Sequence, residues 1–449
     1  MIDRAGAYTE YRMRASLYLA TSMVVCLVLD AQDNADAAWQ LTLRLSQVRR
    51  QAAKALQEQP DFTCLATFDR FHWPVNRREE QRVDTVRVEV AYVGKRELYS
   101  WPGEDKFSDV PLSRMVGAGL MGDGDFAVHA HNVFVANAGT EKWVGEEQEN
   151  GRWGTTDRTL WHWSYRISPY QSGWIIGTAD AEQNVGSEGS FWVDARTLDL
   201  VRIETHATDF FAAFPLKAVE SAVDYGRVRI GEADVLLPVR AELKTTSQDG
   251  SESRNLITYS NCRQYAGRST ISFGAPPEET TPSAAPEARV ESRLAPGLVL
   301  KMRLTTDLEA GSASVGDALE ATLTEPLRDG KTAIAPKGAQ VHGRIRYLRR
   351  DTTAGKMPGQ PESFTELGVV FDELEFSGRL FHFSGVLKSF DNQVPGVRTR
   401  LTFERGYDGT TMTRLQIDPV QIPGASMFFL DSRSNGLPSG TLMTWVTQP

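Results

Sequence analysis

The spacing of apolar and polar positions changes at Pro60. Before it, from Ala37 to Gln59, apolar residues recur every three or four positions, as on one face of a helix: Leu41, Leu45, Val48, Ala52 and Leu56. After it, from Phe62 to Phe273, the period is mostly two, which is typical of strands with one buried and one solvated face. The sequence therefore predicts one helix followed by an antiparallel sheet.

One stretch of this first half departs from the alternation. Clear period-two segments occur at Val86–Tyr92, Val201–His206 and Val239–Lys244, with glycine- or aspartate-containing turns between strands. Between them, Pro111–Asn137 combines apolar residues with glycines and shows no alternation. This stretch predicts one or two short helices that cover part of the sheet.

The second half begins after a change of composition. Residues 275–293 are rich in proline, glutamate and threonine and contain no aromatic residue, which predicts a linker that cannot bury enough surface to fold. Short alternating segments return from Leu294 to Pro449, without a helical stripe, and predict a small all-β barrel or sandwich. The predicted domains are thus residues 38–274 and 294–449.

The first residues have the pattern of an export leader. Three arginines precede an apolar run, Ala15–Leu29, that is shorter than the roughly 20 residues needed to span a bilayer. Ala35-Asp36-Ala37 offers a cleavage site, and Met13 offers a neater start than Met1. We expect a signal peptide over residues 1–37, a periplasmic or secreted protein, and no transmembrane span after leader removal. Retention of the leader as a membrane anchor is the alternative.

The cysteines are also consistent with export from the cytoplasm. The leader contains Cys26, so its removal leaves Cys64 and Cys262. Two cysteines in an oxidising compartment predict one disulfide. Two separate buried thiols are the alternative, because Cys64 begins the first predicted strand and Cys262 lies in the last, and these strands are distant in an open barrel unless the sheet curls.

Several segments of the first half resemble the LolA/LolB-like lipoprotein-carrier superfamily, in its divergent secreted bacterial form. The segments that carry the resemblance, over residues 37–273, are Pro60–Cys64, Glu188–Asp194, Asp199–Glu204, Leu237–Leu243 and Tyr259–Cys262. The resemblance implies a strongly bent antiparallel sheet, an unclosed barrel plugged by helices on its concave face. It also implies a lipid or a lipidated protein as ligand, in the cavity between sheet and helices.

The second half resembles, more faintly, the β-barrel of TrbI-like conjugal-transfer proteins. The resemblance rests on Ala333–Ala339, on Val341–Ile345 and on the closing Leu437–Thr441. It implies the barrel alone, because the helical insertion that lines the secretion channel is missing. Arg344 and Arg346 share one strand face of this half, which we expect to be solvated; contact with anionic lipid headgroups is the alternative.

Tryptophan is concentrated in the first half, with nine of the ten before the linker. Such wide side chains either fill a curved sheet or line an apolar cavity. As candidate ligand-binding residues the sequence offers Trp161, Trp163, Trp174 and Trp192.

Chemistry-bearing motifs are weak. His129 and His131 are the best metal candidates, but the surrounding sequence is helical, where the two would splay apart, and no further histidine or cysteine is near in sequence to complete a site. The acidic cluster of Glu146, Glu147 and Glu149 is expected to be a solvated turn. We therefore expect no metal, no cofactor and no enzymatic activity. The net charge of −9 argues against nucleic acid as a partner.

Together these patterns predict an exported envelope protein that is not an enzyme. Its half-barrel is expected to bind a lipid or other hydrophobic ligand, and its second domain to dock to an envelope protein partner. A structural or protein-interaction module with a solid core and no ligand is the alternative.

Overall fold

A computed structural model of the chain describes residues 38–265 and 290–449, apart from short gaps at 76–78, 105, 117–118, 123–127, 137, 150, 152–156, 179–180, 352–363, 391–393, 400, 408–410, 418–423, 432–433 and 435. The predicted leader and most of the predicted linker lie outside these residues. No helix in the described part of the chain is long and apolar enough to cross a membrane.

The first half contains short helices and long strands. The helices are α1 (38–57), α2 (Leu112–Val116), α3 (Val128–Phe134) and α4 (Pro169–Ser172). The strands are β1 (Phe62–Trp73), β2 (Gln81–Val93), β3 (Arg96–Ser100), β4 (Gly139–Glu149), β5 (Arg158–Ile167), β6 (Trp174–Gly177), β7 (Glu182–Asp194), β8 (Leu200–Thr208), β9 (Leu216–Ile230), β10 (Ala233–Ser247) and β11 (Glu252–Gln264). The predicted N-terminal helix, the two short helices and the β-rich remainder are confirmed.

The second half is built from strands. They are β12 (Val290–Arg293), β13 (Val299–Leu304), β14 (Leu308–Glu309), β15 (Ala318–Leu323), β16 (Leu327–Asp329), β17 (Thr332–Ala335), β18 (Gln340–Asp351), β19 (Phe364–Phe376), β20 (Arg379–His382), β21 (Ser384–Phe390), β22 (Val397–Arg398), β23 (Leu401–Tyr407), β24 (Thr411–Ile417), β25 (Ser426–Asp431), β26 (Gly436–Leu437) and β27 (Leu442–Gln448). The first of them, β12, occupies the last four residues of the predicted linker and pairs parallel with β20.

The strands of the first half form one curled antiparallel sheet. Their order is β3-β2-β1-β11-β10-β9-β8-β7-β5-β4, and β6 pairs with β7 outside this path. The first strand, β1, therefore lies inside the sheet, next to the last strand, β11. The sheet is the bent half-barrel that the sequence predicted, and α1 packs on its concave face through the buried Val48 and Ala52.

The pairing of β1 with β11 brings the two cysteines together. Cys64 lies at an irregularity in this pairing and forms a disulfide with Cys262. The first and last strands in sequence, β1 and β11, were expected to be distant in an open barrel. This expectation was wrong, because they are neighbours inside the sheet, and β2 and β3 continue the sheet on the other side of β1. The predicted disulfide is confirmed, and the two-thiol alternative is excluded.

The second half curls into a nearly closed barrel. Its main sheet runs β12-β20-β19-β18-β15-β13-β27-β21, and β25 pairs with β19. The Leu387 N–H of β21 donates to Ser426 Oγ of β25 at 2.8 Å, so the far end of the sheet returns toward β19. Trp445, Phe371 and Phe428 fill the interior, each almost fully buried.

A backbone contact joins the two halves. The Val315 C=O accepts from Arg87 N–H, and the Val315 N–H donates to Thr85 C=O, both at 2.8 Å. One residue of the second half thus pairs with β2 as a neighbouring strand would. Asp317 adds an ion pair to the Arg87 guanidinium at 2.8 Å. Buried apolar side chains of both halves form one continuous core around this contact.

The basic face of β18 lies in this interface. Arg346 stacks on the Trp101 ring at 4.8 Å, and Arg344 donates to Pro102 C=O at 3.2 Å and pairs with Glu104 at 2.8 Å. The expectation that Arg344 and Arg346 form a solvated face was wrong. A guanidinium can stack on an aromatic ring while it donates to carbonyls, so both side chains are accommodated between the domains.

Gly316 allows the close approach at this interface. Its φ is +99°, and a Cβ at this position would lie 2.2 Å from Arg87 O. We predict that Gly316→Ala destabilises the interface by about 2–4 kcal/mol, because it combines left-handed strain with a backbone clash. Denaturant unfolding should then change from one transition to two. The matched Gly311→Ala, whose Cβ would meet no described atom within 4 Å, should unfold like the wild type. A single unchanged transition for Gly316→Ala would contradict this role.

The disulfide gives a second prediction. It spans 198 residues of sequence, so its loss releases a long loop in the unfolded chain. We expect the Cys64→Ala/Cys262→Ala variant to lose up to about 5 kcal/mol of unfolding free energy in the chain-entropy account. The measurement is urea unfolding of the variant beside the wild type with and without a reductant, and non-reducing peptide mapping checks the bond. Unchanged stability would show that the bond contributes nothing beyond the strand pairing.

Candidate functional site

Three tryptophans lie together on the concave face of the sheet. Trp161 and Trp163 come from β5, where residues two apart share a face, and Trp143 comes from the neighbouring β4. Ring centroids are 4.8 Å apart for Trp143 and Trp163 and 6.0 Å apart for Trp161 and Trp163. Trp163 is almost fully buried and stacks on Phe191 of β7 at 5.5 Å. We call Trp143, Trp161 and Trp163 the aromatic floor.

A β-bulge shapes the edge strand beside this floor. In the pairing of β4 with β5, Trp143 faces Trp163, whereas Gly145 faces His162, so Val144 is the extra residue. A bulge reverses which side chains face inward beyond it. It therefore places the Glu146 side chain on the concave face, opposite Trp161.

Helix α1 covers the aromatic floor with one arginine and contacts the edge strand β4 with a second. The Arg44 guanidinium lies 4.7 Å from the Trp161 ring and 5.8 Å from the Trp143 ring, and it pairs with Glu146 at 2.8 Å. The second arginine, Arg49, pairs with Glu141 of β4 at 2.5 Å. We call the Arg44–Glu146 and Arg49–Glu141 pairs the lid contacts.

The inner lid contact, Arg49–Glu141, leaves two buried polar atoms without hydrogen bonds among the described residues. The Glu141 side chain is only 4% exposed, yet in the part of the chain that the structure describes neither Glu141 Oε1 nor Arg49 Nε has a hydrogen-bond partner. Desolvation of such a pair offsets much of its Coulomb attraction unless the remaining polar atoms are bonded. The outer pair, Arg44–Glu146, is half exposed and contributes about 1 kcal/mol or less. The lid contacts therefore contribute little to holding α1 on the sheet.

The opposite face of α1 also carries apolar residues. Trp39 is 60% exposed and Leu43 is 36% exposed, one helical turn apart and away from the buried stripe. The same outward face carries Arg50 and Lys54, both exposed. Exposed large apolar side chains beside a covered aromatic cluster are typical of surfaces that handle apolar molecules.

The other two candidate tryptophans lie elsewhere. Trp192 is on the convex face, where it stacks on His162 at 4.4 Å and donates from Nε1 to Glu147 at 3.3 Å. Trp174 belongs to a separate cluster with Val185 and Phe214, near one end of the sheet. The structure thus brings Trp161 and Trp163 together and separates both from Trp174 and Trp192.

The candidate metal residues lie on a helix. His129 and His131 are on α3, two positions apart, so their side chains diverge. The His129 ring meets Trp174 edge-on at 4.8 Å, and burial lowers its pKa from 6.5 to about 4. Among the described residues, no group of three or more histidine, cysteine, aspartate or glutamate side chains could hold a metal ion.

The acidic cluster lies within strand β4. Glu147 pairs with His162 at 2.6 Å, and the buried Glu149 pairs with Arg158 at 2.5 Å. With Glu146 in the lid contacts, each carboxylate of the cluster has its own partner. The expectation of a solvated turn was wrong, because the strand continues to Glu149 and only then turns.

Sequence reasoning missed the charged half of this site. The sequence did not identify Arg44, Arg49 or Glu141 as candidate site residues; the two arginines lie off the apolar stripe of α1. A usable signal exists, since the two arginines flank the stripe on either side while the strongly polar positions Arg50 and Lys54 lie opposite it. Their partners on β4 could not be found, because helix-to-strand distances are set by the fold.

No protein-family profile matches the chain. No curated protein matches it either. Among solved structures, a DUF1329 family protein from Desulfovibrio piger aligns with TM-score 0.26 and 13% identity, over 51% of this chain and 97% of that one. A domain described as an outer membrane lipoprotein-sorting protein, from Vibrio parahaemolyticus, aligns with TM-score 0.27 and 12% identity, over 51% and 94%.

The second likeness is to the kind of protein that the sequence of the first half resembles. Both likenesses have TM-scores well below 0.5, so the function is argued from the residues of this chain. The resemblance of the second half to TrbI-like barrels stays a prediction.

His129 gives a prediction for pH dependence. Its folded pKa of about 4 lies below the unfolded value of 6.5, so between these values the unfolded chain binds a proton that the folded chain does not. Stability should therefore fall as pH decreases from 6.5 to 4, by about 1–3 kcal/mol, since the residue keeps some solvent contact. Urea unfolding at pH 7 and pH 4.5 measures the loss.

The variant His129→Phe should remove this part of the pH dependence, and His206→Phe, at an exposed histidine, should not. An identical pH dependence for wild type and His129→Phe would show that the ring is hydrated in solution.

Proposed function

We propose that the chain is an exported envelope protein that binds a lipid or another hydrophobic ligand on the aromatic floor, with α1 as a lid. The observation that supports this proposal is the way in which α1 covers the aromatic floor. A cluster of three tryptophans is covered by the Arg44 side chain, and the neighbouring Arg49–Glu141 contact leaves buried polar atoms unbonded.

Opening of the lid has a modest expected cost. Movement of α1 away from the sheet hydrates Arg49 and Glu141, which regain the hydrogen bonds that they lack when closed. The buried Val48 and Ala52 flank Arg49 along the helix, so their partial exposure adds to the cost of opening. An acyl chain would replace the arginine stems over the tryptophan rings, while the arginines would remain available to an acidic headgroup.

The second domain supports the half-barrel from the other side in this proposal. Its β18 face packs on the first domain, so any docking to an envelope protein partner would use its remaining surface. The disulfide and the leader pattern favour a periplasmic or secreted location. No step of the proposed role involves chemistry on the ligand, in keeping with the expectation that the protein is not an enzyme.

A solid-core interaction module is the second candidate. The observation that favours it is the filling of the concave face beneath α1, where Phe134 meets Phe191 at 5.0 Å and both are buried together with Val48. In this case α1 is a fixed part of the core, and the tryptophans contribute to stability alone.

A reversible cross-link of the lid distinguishes the two. Arg44 and Glu146 are in contact across the lid through the ends of long side chains, so the shorter cysteines of Arg44→Cys/Glu146→Cys are joined by oxidation with a short dithiol linker rather than directly. The probe is cis-parinaric acid, a fluorescent fatty acid, read by energy transfer from tryptophan. We expect wild type to bind, the oxidised variant to bind at least about tenfold more weakly, and mild reduction to restore binding.

The control is Arg202→Cys/Asp224→Cys, which replaces an ion pair of 2.5 Å on neighbouring strands away from α1. Its oxidation should leave binding unchanged, and wild type treated in parallel accounts for the native disulfide. No binding by wild type would favour the solid-core module. Equal binding by the oxidised and reduced lid variant would exclude α1 as the lid.

A further inference from the structure

Three large apolar side chains are exposed at one end of the half-barrel. Tyr170 of α4 is 97% exposed, Ile175 of β6 is 60% exposed, and Phe211, in the loop between β8 and β9, is 46% exposed. The start of β7 holds these segments together, because its side chains bond to α4 and to the loop, and β6 pairs with it. We call Tyr170, Ile175 and the loop residues Phe210–Leu216 the apolar tip.

The loop of the apolar tip has no polar side chain over seven consecutive residues, Phe-Phe-Ala-Ala-Phe-Pro-Leu. Phe214 is fully buried, and Phe210 and Phe211 both contact its ring, with centroids 5.2 Å apart in each case. The Phe214 N–H also donates to Phe211 C=O at 2.9 Å, so the loop is a turn held by its own contacts that presents Phe211 and the two alanines outward. An exposed apolar run of this length is unfavourable in water and indicates that an apolar partner covers it.

Two glutamine side chains bond the backbone of this loop, one near each end. Gln183 Nε2 donates to Asp209 C=O at 2.7 Å, and Gln183 Oε1 accepts from Phe211 N–H at 3.1 Å. Gln248 Nε2 donates to Phe214 C=O at 3.1 Å. Lipid tails supply no hydrogen bonds, so a surface that enters a bilayer has to bond its backbone within the protein. A protein partner could supply such bonds itself, so this internal bonding favours lipid as the partner.

The charges beside the loop cancel. The apolar run is flanked by one acidic and one basic residue, Asp209 and Lys217, and Tyr170 and Ile175 add no charge. A surface that binds anionic lipid electrostatically carries several lysines or arginines together, and the apolar tip does not. Its neutrality matches a zwitterionic lipid surface, where phenylalanine and tyrosine side chains are favourable at the level of the headgroups.

We propose that the apolar tip docks the half-barrel on a zwitterionic lipid bilayer, with the side chains of Tyr170, Ile175 and Phe211 inserted at the boundary between headgroups and acyl chains. This contact is separate from the aromatic floor on β4 and β5. It would bring the half-barrel to a source of lipid, but it requires neither an open lid nor a bound ligand. Its affinity is modest and reversible, since only a few side chains enter the bilayer.

A fluorescent label on the apolar tip tests the docking directly. In a Cys26→Ala background, which leaves only the two bonded cysteines, Phe211→Cys carries the environment-sensitive nitrobenzoxadiazole group. On addition of dioleoylphosphatidylcholine vesicles we expect its emission to shift to the blue and to be quenched by spin-labelled lipid. The control label at Val299→Cys, an exposed position of the second domain, should not change. No shift at position 211, or the same shift at both positions, would overturn the proposal.

Removal of the exposed side chains measures their contribution. Phe211→Ser should weaken co-sedimentation with the same vesicles about tenfold, and Tyr170→Ser/Ile175→Ser/Phe211→Ser should abolish it, because the apolar area that enters the bilayer is lost. The matched Val299→Ser should bind as wild type does, and all four positions are exposed, so the fold is kept. Undiminished binding of the triple variant, or binding that requires anionic lipid and ends at high salt, would contradict insertion of the apolar tip.

Sedimentation velocity without lipid examines a second copy of the chain as the partner. We expect wild type and Phe211→Ser to sediment alike at equal concentrations. A wild-type dimer that Phe211→Ser abolishes would show that the apolar tip is covered by another copy, and it would overturn docking on lipid.

The docking and the proposed ligand site fail independently. The triple variant should bind cis-parinaric acid in solution as wild type does, and the oxidised Arg44→Cys/Glu146→Cys variant should bind vesicles as wild type does. Vesicle binding without fatty-acid binding in wild type would reject the aromatic floor alone, and the reverse would reject the apolar tip alone.

Discussion

The pairing of the first strand of the half-barrel with its last strand is the constraint on which the rest of the structure depends. Because β1 lies next to β11, the chain begins and ends its large sheet at one place in the interior of that sheet. The Cys64–Cys262 bond fixes this place covalently. Helix α1 precedes β1 by only a few residues, so its C-terminal end must lie there, and the chain must leave for the second domain from there as well.

Two covered regions follow from this arrangement, one on each side of the β1–β11 pair. On one side, α1 extends over the concave face as far as the edge strand β4, where Arg44 and Arg49 meet their carboxylates. On the other side, β2 remains available, and Val315 of the second domain pairs with it. The aromatic floor and the contact with the second domain therefore lie in different parts of one sheet, each beneath a different cover.

Periodicity predicted the helices and strands of this fold well, because the alternation of buried and exposed positions is present in the sequence of each element. Val86, Val88 and Val90 alternate in sequence and are all buried in β2, and the stripe of α1 faces the core at Val48 and Ala52. Periodicity did not predict which strands and side chains lie next to each other in the fold. The order of strands, the bulge at Val144 and the approach of Gly316 to Arg87 depend on residues far apart in sequence. The basic face of β18 was misjudged for the same reason, since alternation identifies a polar face without showing what covers it.

The chemistry of the two covers differs, and the difference bears on what each can do. The domain interface is closed by backbone pairing and by arginines whose guanidinium groups donate to carbonyls or stack on Trp101, so opening it would leave several polar groups to be rehydrated at once. The lid over the aromatic floor is closed by side chains alone, and its inner ion pair already lacks bonds. Apolar residues in place of Arg44 and Arg49 would bury the tryptophans more stably, because a buried ion pair is seldom better than a well-packed apolar contact. Arginines at these two positions are therefore a costly way to build a permanent core and, in the proposed role, a suitable way to build a cover that opens.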